Sequence, residues 1–171
     1  SVAFIGVNIA VVRRQNASHT RLLLVGAGAW LAGNLFLAAG DVDGALPWWF
    51  SFLVSTIAAE RLEMTRLTRR GPEVEPLLWN IMAMMLGGAA LAPVSWTLGG
   101  ALFGLSLVAL AAWLLAFDIA RRTVLADGLG RYMAVCLLTG DGWLAVSGAA
   151  GIAMSAGLPT PRAALDSLGL G

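Results

Sequence analysis

Long apolar runs separated by short polar breaks make up the chain, and the breaks alternate in charge. The first run, SVAFIGVNIAVV, ends at Val12 and gives way to RRQNASHTR, where Arg13, Arg14 and Arg21 bracket polar residues. A run of that length is too short to cross a hydrocarbon core of about 30 Å unaided. It reads as the tail of a helix that begins further upstream. Leu22 to Gly40 is long enough to cross, and it ends at Asp41-Val42-Asp43-Gly44, a break with acids and no arginine. Pro47-Trp48-Trp49 opens the third segment, with indoles at the height of an interfacial aromatic belt. That segment returns to Arg66, Arg69 and Arg70. Glu73, Glu75 and Pro76 suit the first turn of the next helix, which is broken near its far end by Pro93. Two further segments follow, the first ending before Arg121 and Arg122 and the second starting at Arg131.

The pattern therefore predicts spans over 1–12 (partial), 22–40, 47–66, 76–94, 97–119 and 131–156, with 163–171 opening another helix. The expected fold is all-α: a polytopic transmembrane helix bundle of five full spans plus a partial N-terminal span. Residues 1–171 read as one transmembrane domain and as a fragment of a larger bundle, whose partners are the lipid bilayer and the remaining helices.

Composition sharpens this picture. The chain is 58% hydrophobic and 12% charged with a mean hydropathy of +0.80, outside the balance of soluble domains. It has no lysine, so its eleven basic side chains are all arginine. Ten of them fall on one side of the alternation, around loops 13–21, 66–75 and 120–131, and Arg162 alone falls on the other. The positive-inside rule assigns those loops to the cytoplasm. Arginines at segment ends form no basic stripe, which excludes a nucleic-acid surface. The single cysteine, Cys136, excludes an internal disulfide and any Cys-pair metal site, and reads as a small buried hydrophobe. Gly26-Ala27-Gly28-Ala29 with Gly33, Gly100 with Gly104, and Gly148 with Gly151 point to close helix packing.

Among residues that could carry chemistry, Asp141 stands out. It lies about ten residues, hence about 15 Å of helix, beyond Arg131 and so near mid-bilayer. A carboxyl there is costly unless protonated, paired or wetted. It reads either as a proton-relay or ion-binding group, or as a protonated structural acid between Gly140 and Gly142. Glu60, Arg61, Glu63 and Arg66 form a second cluster at the end of the third segment, and Asp118 precedes Arg121 and Arg122 at helical spacing. These read as interfacial ion pairs, or as a substrate gate. Met82 and Met85 share a helical face and could offer thioether ligands to reduced copper, although methionine in an apolar helix usually serves packing. His19, the only histidine, reads as a solvated loop residue, and Asn34 and Asn80 as amides bridging helices. No nucleophile with a base, no metal-ligand spacing and no hydrolase elbow is present, so no catalysis follows from the residues.

ERLEMTRL, residues 60–67, and FDIARRTVLADGLGRYMAVCLLTGDGWLAVSG are similar to stretches of a family of polytopic bacterial membrane proteins related to NnrS. That resemblance implies a multi-pass protein of the bacterial inner membrane that binds haem or copper and is linked to nitric oxide or respiratory stress, in the manner of haem-copper oxidase subunits. Axial histidines would hold the haem. The family tends to carry histidine where Asp166 stands here and an aromatic residue where Asp141 stands. Two other classes of function remain open from the residues: a proton- or solute-coupled transporter subunit using Asp141 and the Glu60 to Arg66 cluster, and a scaffold without chemistry.

Overall fold

A computed structural model describes residues 2–15, 17–64, 73–117, 123–124 and 128–157. Among them six helices follow in order: α1 (Val2–Arg14), α2 (Ser18–Ala38), α3 (Val42–Met64), α4 (Val74–Leu91), α5 (Trp96–Phe117) and α6 (Leu129–Ser155). No strand occurs among the described residues. The fold is all-α. The five helices α2 to α6 are each long and apolar enough to cross a membrane, and α1 is the short one. The protein is a multi-pass membrane protein. Hydrocarbon offers no partner to a backbone N–H or C=O, so apolar stretches of this length are stable there only with every such group bonded within the helix.

Helix limits differ from the sequence reading where polar residues act as caps. The acidic break after α2 is a tight turn rather than a loop. Gly40 adopts a positive φ of 83°, and beyond it the Asp41 N–H donates to the Phe36 carbonyl at 3.0 Å, closing the end of α2. The Asp41 carboxylate then accepts the Gly44 N–H at 2.8 Å and starts α3 at Val42. Pro47 consequently lies inside α3 instead of opening it. The α4 helix ends at Leu91, just ahead of Pro93, and Pro76 occupies its first turn as expected.

The chain forms two compact units, Ser1–Met82 with 117–119, and Ala83–Ala116 with 120–171. In the first, α2 and α3 pack through small residues. Gly26 lies so close to α3 that an added Cβ would stand 3.3 Å from the Ser55 Cβ, and at Gly33 it would stand 2.5 Å from the Trp49 ring. Trp49 therefore packs inward over Gly33, 6.2 Å from Trp30, while Trp48 stacks on Phe36 at 6.4 Å. The indole nitrogens of both Trp48 and Trp49 are withdrawn from solvent. Both residues thus serve as packing groups between α2 and α3.

In the second unit, α5 is gripped on two faces. Gly88 of α4 abuts the main chain of Phe103, where an added Cβ would come within 2.6 Å of a backbone nitrogen. On another face Gly104 meets Gly148 of α6, each so close that a Cβ would lie 2.6 Å from the other's carbonyl oxygen. Buried hydroxyls in this unit turn back on their own helices, Ser106 to the Phe103 carbonyl at 2.6 Å and Ser155 to the Ile152 carbonyl at 2.8 Å. Lipid tails are as apolar as leucine, so such pairs hold by close contact rather than by exclusion of water.

A side chain at Gly148 would meet main chain, which cannot swing aside. Gly148→Leu is expected to lower the stability of the protein in detergent by about 2 kcal/mol or more. Gly140→Leu, at a position where an added Cβ meets nothing within 4 Å, is expected to change it by less than about 0.5 kcal/mol. Parallel thermal unfolding of the two variants checks the contrast.

Candidate functional site

The face that α6 turns toward its neighbours repeats every seven residues. Ala134, Gly148 and Ser155 are buried, and Asp141 completes the series as a half-buried member. Seven residues make almost two turns, so the four positions line up along one seam. Asp141 is residue 13 of 27 in α6, next to its midpoint, about 18 Å from Leu129 along the axis. Its Oδ2 is withdrawn from solvent, and the residue takes part in the polar contacts of the fold. The small residues at 134, 148 and 155 set the seam, and that sequence spacing was the signal that could have assigned Asp141 to it.

Cys136 lies off this seam and is exposed, which corrects the expectation of a buried cysteine. The reason is angular: two residues beyond Ala134, it is turned about 200° away from the packed face. Trp143, also off the seam, is 68% exposed.

In the first unit the structure gathers a polar cluster that the sequence reading scattered. His19 is not a solvated loop residue. It lies in the first turn of α2 with its side chain only 13% exposed, and its Nε2 stands 3.8 Å from a carboxylate oxygen of Glu63 at the end of α3. The adjacent Ser18 hydroxyl donates to Glu75 in the first turn of α4. Two neighbouring residues at the start of α2 thus hold carboxylates from two other helices. Thr20, buried beside them, donates to the carbonyls of Gln15 and Ala17, each at 2.7 Å, and receives the Ala17 N–H at 3.3 Å. These bonds tie the connection back onto the first turn of α2, where Ala17, at the cap position, has no side chain to accept a first-turn N–H.

The other expected site residues separate. Glu60 is exposed, and Arg61 is half-buried and engaged elsewhere in the fold. Of that cluster, Glu63 turns to a partner on another helix, His19 of α2. Arg66, Asp118, Arg121, Arg122 and Asp166 lie outside the described residues. Met82 and Met85 do share a face of α4, and both are fully buried. The Met82 sulfur accepts a contact from the Ser55 hydroxyl at 3.9 Å, which gives it a packing role. Asn80 is exposed and Asn34 half-buried. The buried amide is instead Asn8, whose Nδ2 donates to the Phe4 carbonyl one turn back at 2.9 Å.

Haem or copper has to be tested against these donors. Haem needs an axial ligand facing open space, and the sole histidine, His19, has its Nε2 directed at Glu63. Among the described residues no group of three or more His, Cys, Asp or Glu is arranged to hold a metal ion. Among the described residues, then, no histidine is placed to serve haem as an axial ligand.

Two outcomes follow. Glu63 is 61% exposed, and water weakens such pairs. A double-mutant cycle on His19→Ala and Glu63→Gln is therefore expected to give a coupling of less than about 1 kcal/mol in thermal unfolding. Cys136, exposed on an apolar helix, is expected to react with a lipid-soluble maleimide at least tenfold faster than with a charged one when the protein sits in vesicles.

No curated protein and no solved structure matches the chain. A family described as a domain of unknown function, DUF8744, matches residues 1–171. The chain belongs to that family.

Proposed function

We propose that the protein moves protons, or a solute coupled to them, across the bilayer, with Asp141 as the group that takes up and releases the proton. The observation that carries this reading is the position of a carboxyl at the midpoint of a 27-residue apolar helix, in the packed seam and with one oxygen withdrawn from solvent. An ionised carboxylate in hydrocarbon is costly enough that such groups sit in the bundle interior or beside water and serve ion or proton paths. The seam and the shielded oxygen are compatible with both uses open to Asp141, structural acid and relay, and the depth of the carboxyl within the span makes an ion or proton path the default use. On this reading the arginine-bearing ends, with Arg13, Arg14, Arg21, Arg61 and Arg131, face the cytoplasm of a bacterial inner membrane.

The family resemblance at residues 60–67 and 117–148 offers a second reading, a haem or copper protein linked to nitric oxide. Nothing in the donor set of this chain adds to that reading, so transport is preferred.

Asp141→Asn keeps the shape of the side chain and removes its charge. The variant, reconstituted in proteoliposomes, is expected to unfold at nearly the wild-type temperature and to show at least a tenfold slower proton uptake, read by an entrapped pH dye. Wild-type uptake in a variant that folds normally would end the relay reading. Loss of folding with no separate effect on flux would give Asp141 a structural role.

A further inference from the structure

The first forty residues hold three arginines and no acid, since the first carboxylate in the sequence is Asp41. Arg13 and Arg14 form the last turn of α1, and Arg21 stands in the first turns of α2, across a connection of three residues. All three are exposed. Glu63 stands against His19 and Glu75 accepts from Ser18, and Arg21 is itself engaged within the fold. Neither Arg13 nor Arg14 makes an ion pair among the described residues.

The helix that carries this charge is apolar on its open side. Only one stripe of α1, Ile5, Asn8 and Val12, is turned inward, at the i, i+3, i+7 spacing of a single helix face. Val7 and Val11 lie away from that stripe and are exposed, Val7 at 62%. Val7 and Val11 lead to Arg14 at the next helical step of the same row. The surface is thus amphipathic along its length, with branched aliphatic side chains for most of its height and guanidinium groups at one end.

We infer that this face of α1 is a binding site for an anionic phospholipid, with its headgroup phosphate on Arg13 and Arg14 and an acyl chain along Val7 and Val11. The arrangement matches the ligand at both ends. Guanidinium offers paired donors to phosphate oxygens, and each basic side chain near a lipid headgroup favours an anionic lipid by about fivefold. A zwitterionic lipid carries the same tails and its own cation, so the tails alone give it no preference. Arg21 adds positive potential from the neighbouring helix.

Protein purified in detergent and incubated with equal amounts of phosphatidylglycerol and phosphatidylcholine provides the test, with retained lipid read by native mass spectrometry. The wild type is expected to retain phosphatidylglycerol preferentially. In Arg13→Gln/Arg14→Gln that preference is expected to fall by about twenty-five-fold, two arginines at about fivefold each, while Arg13→Lys/Arg14→Lys keeps most of it. Raising the salt to 0.5 M should weaken it in the wild type. Equal retention of the two lipids by the wild type would overturn the site. So would an unchanged preference in the glutamine variant when circular dichroism shows that it is folded.

Discussion

A polypeptide in hydrocarbon must bond its own backbone and cannot rely on water to press its helices together. Both halves of that constraint are visible here. The first makes every long apolar run a helix. The second leaves close approach as the means of association, so glycines lie where helices touch: Gly26 and Gly33 between α2 and α3, Gly88 between α4 and α5, Gly104 and Gly148 between α5 and α6. Several polar contacts sit at helix ends, where Asp41 and Thr20 bond backbone groups and Ser18 and His19 meet carboxylates of neighbouring helices.

How much of this was readable beforehand depends on the kind of information each residue carries. The number and order of spans followed from run length, because crossing a bilayer needs about twenty apolar residues whatever their neighbours. Faces were harder. All five long helices are apolar around most of their circumference, so hydrophobicity does not mark a packed side, and the inward face of Trp49 and the outward face of Cys136 both escaped notice. Residue size carried what hydrophobicity did not. Of the glycines read as contacts, Gly26, Gly33, Gly100, Gly104, Gly148 and Gly151 do meet a neighbouring helix whereas Gly28 faces open space, and the seven-residue spacing of Ala134, Asp141, Gly148 and Ser155 would have shown the seam.

The polar cluster around His19 escaped the sequence reading for another reason. Its members are separated along the chain by whole helices, Glu63 and Glu75 being carried by α3 and α4. Local rules of spacing detect pairs within one helix, such as Glu63 with Arg66, and cannot register residues that meet only because three helix ends come together. Asp141 is the converse case. Its place in the middle of a span was legible from its distance along the chain from Arg131, whereas its direction required the neighbouring helix.

The glycine crossing has a mechanical side. Where Gly104 meets Gly148, two main chains touch and the side chains of Val108 and Ile152 flank the contact, so the crossing is a point of closest approach about which α6 can tilt. Asp141 is seven residues, about 10 Å, from that point along α6. Rocking the helix by about 10° around it would carry the carboxyl sideways by about 2 Å, roughly two thirds of a hydrogen-bond length. A point contact between glycines thus gives the acid a lever arm, and a small tilt suffices to exchange one set of neighbours for another.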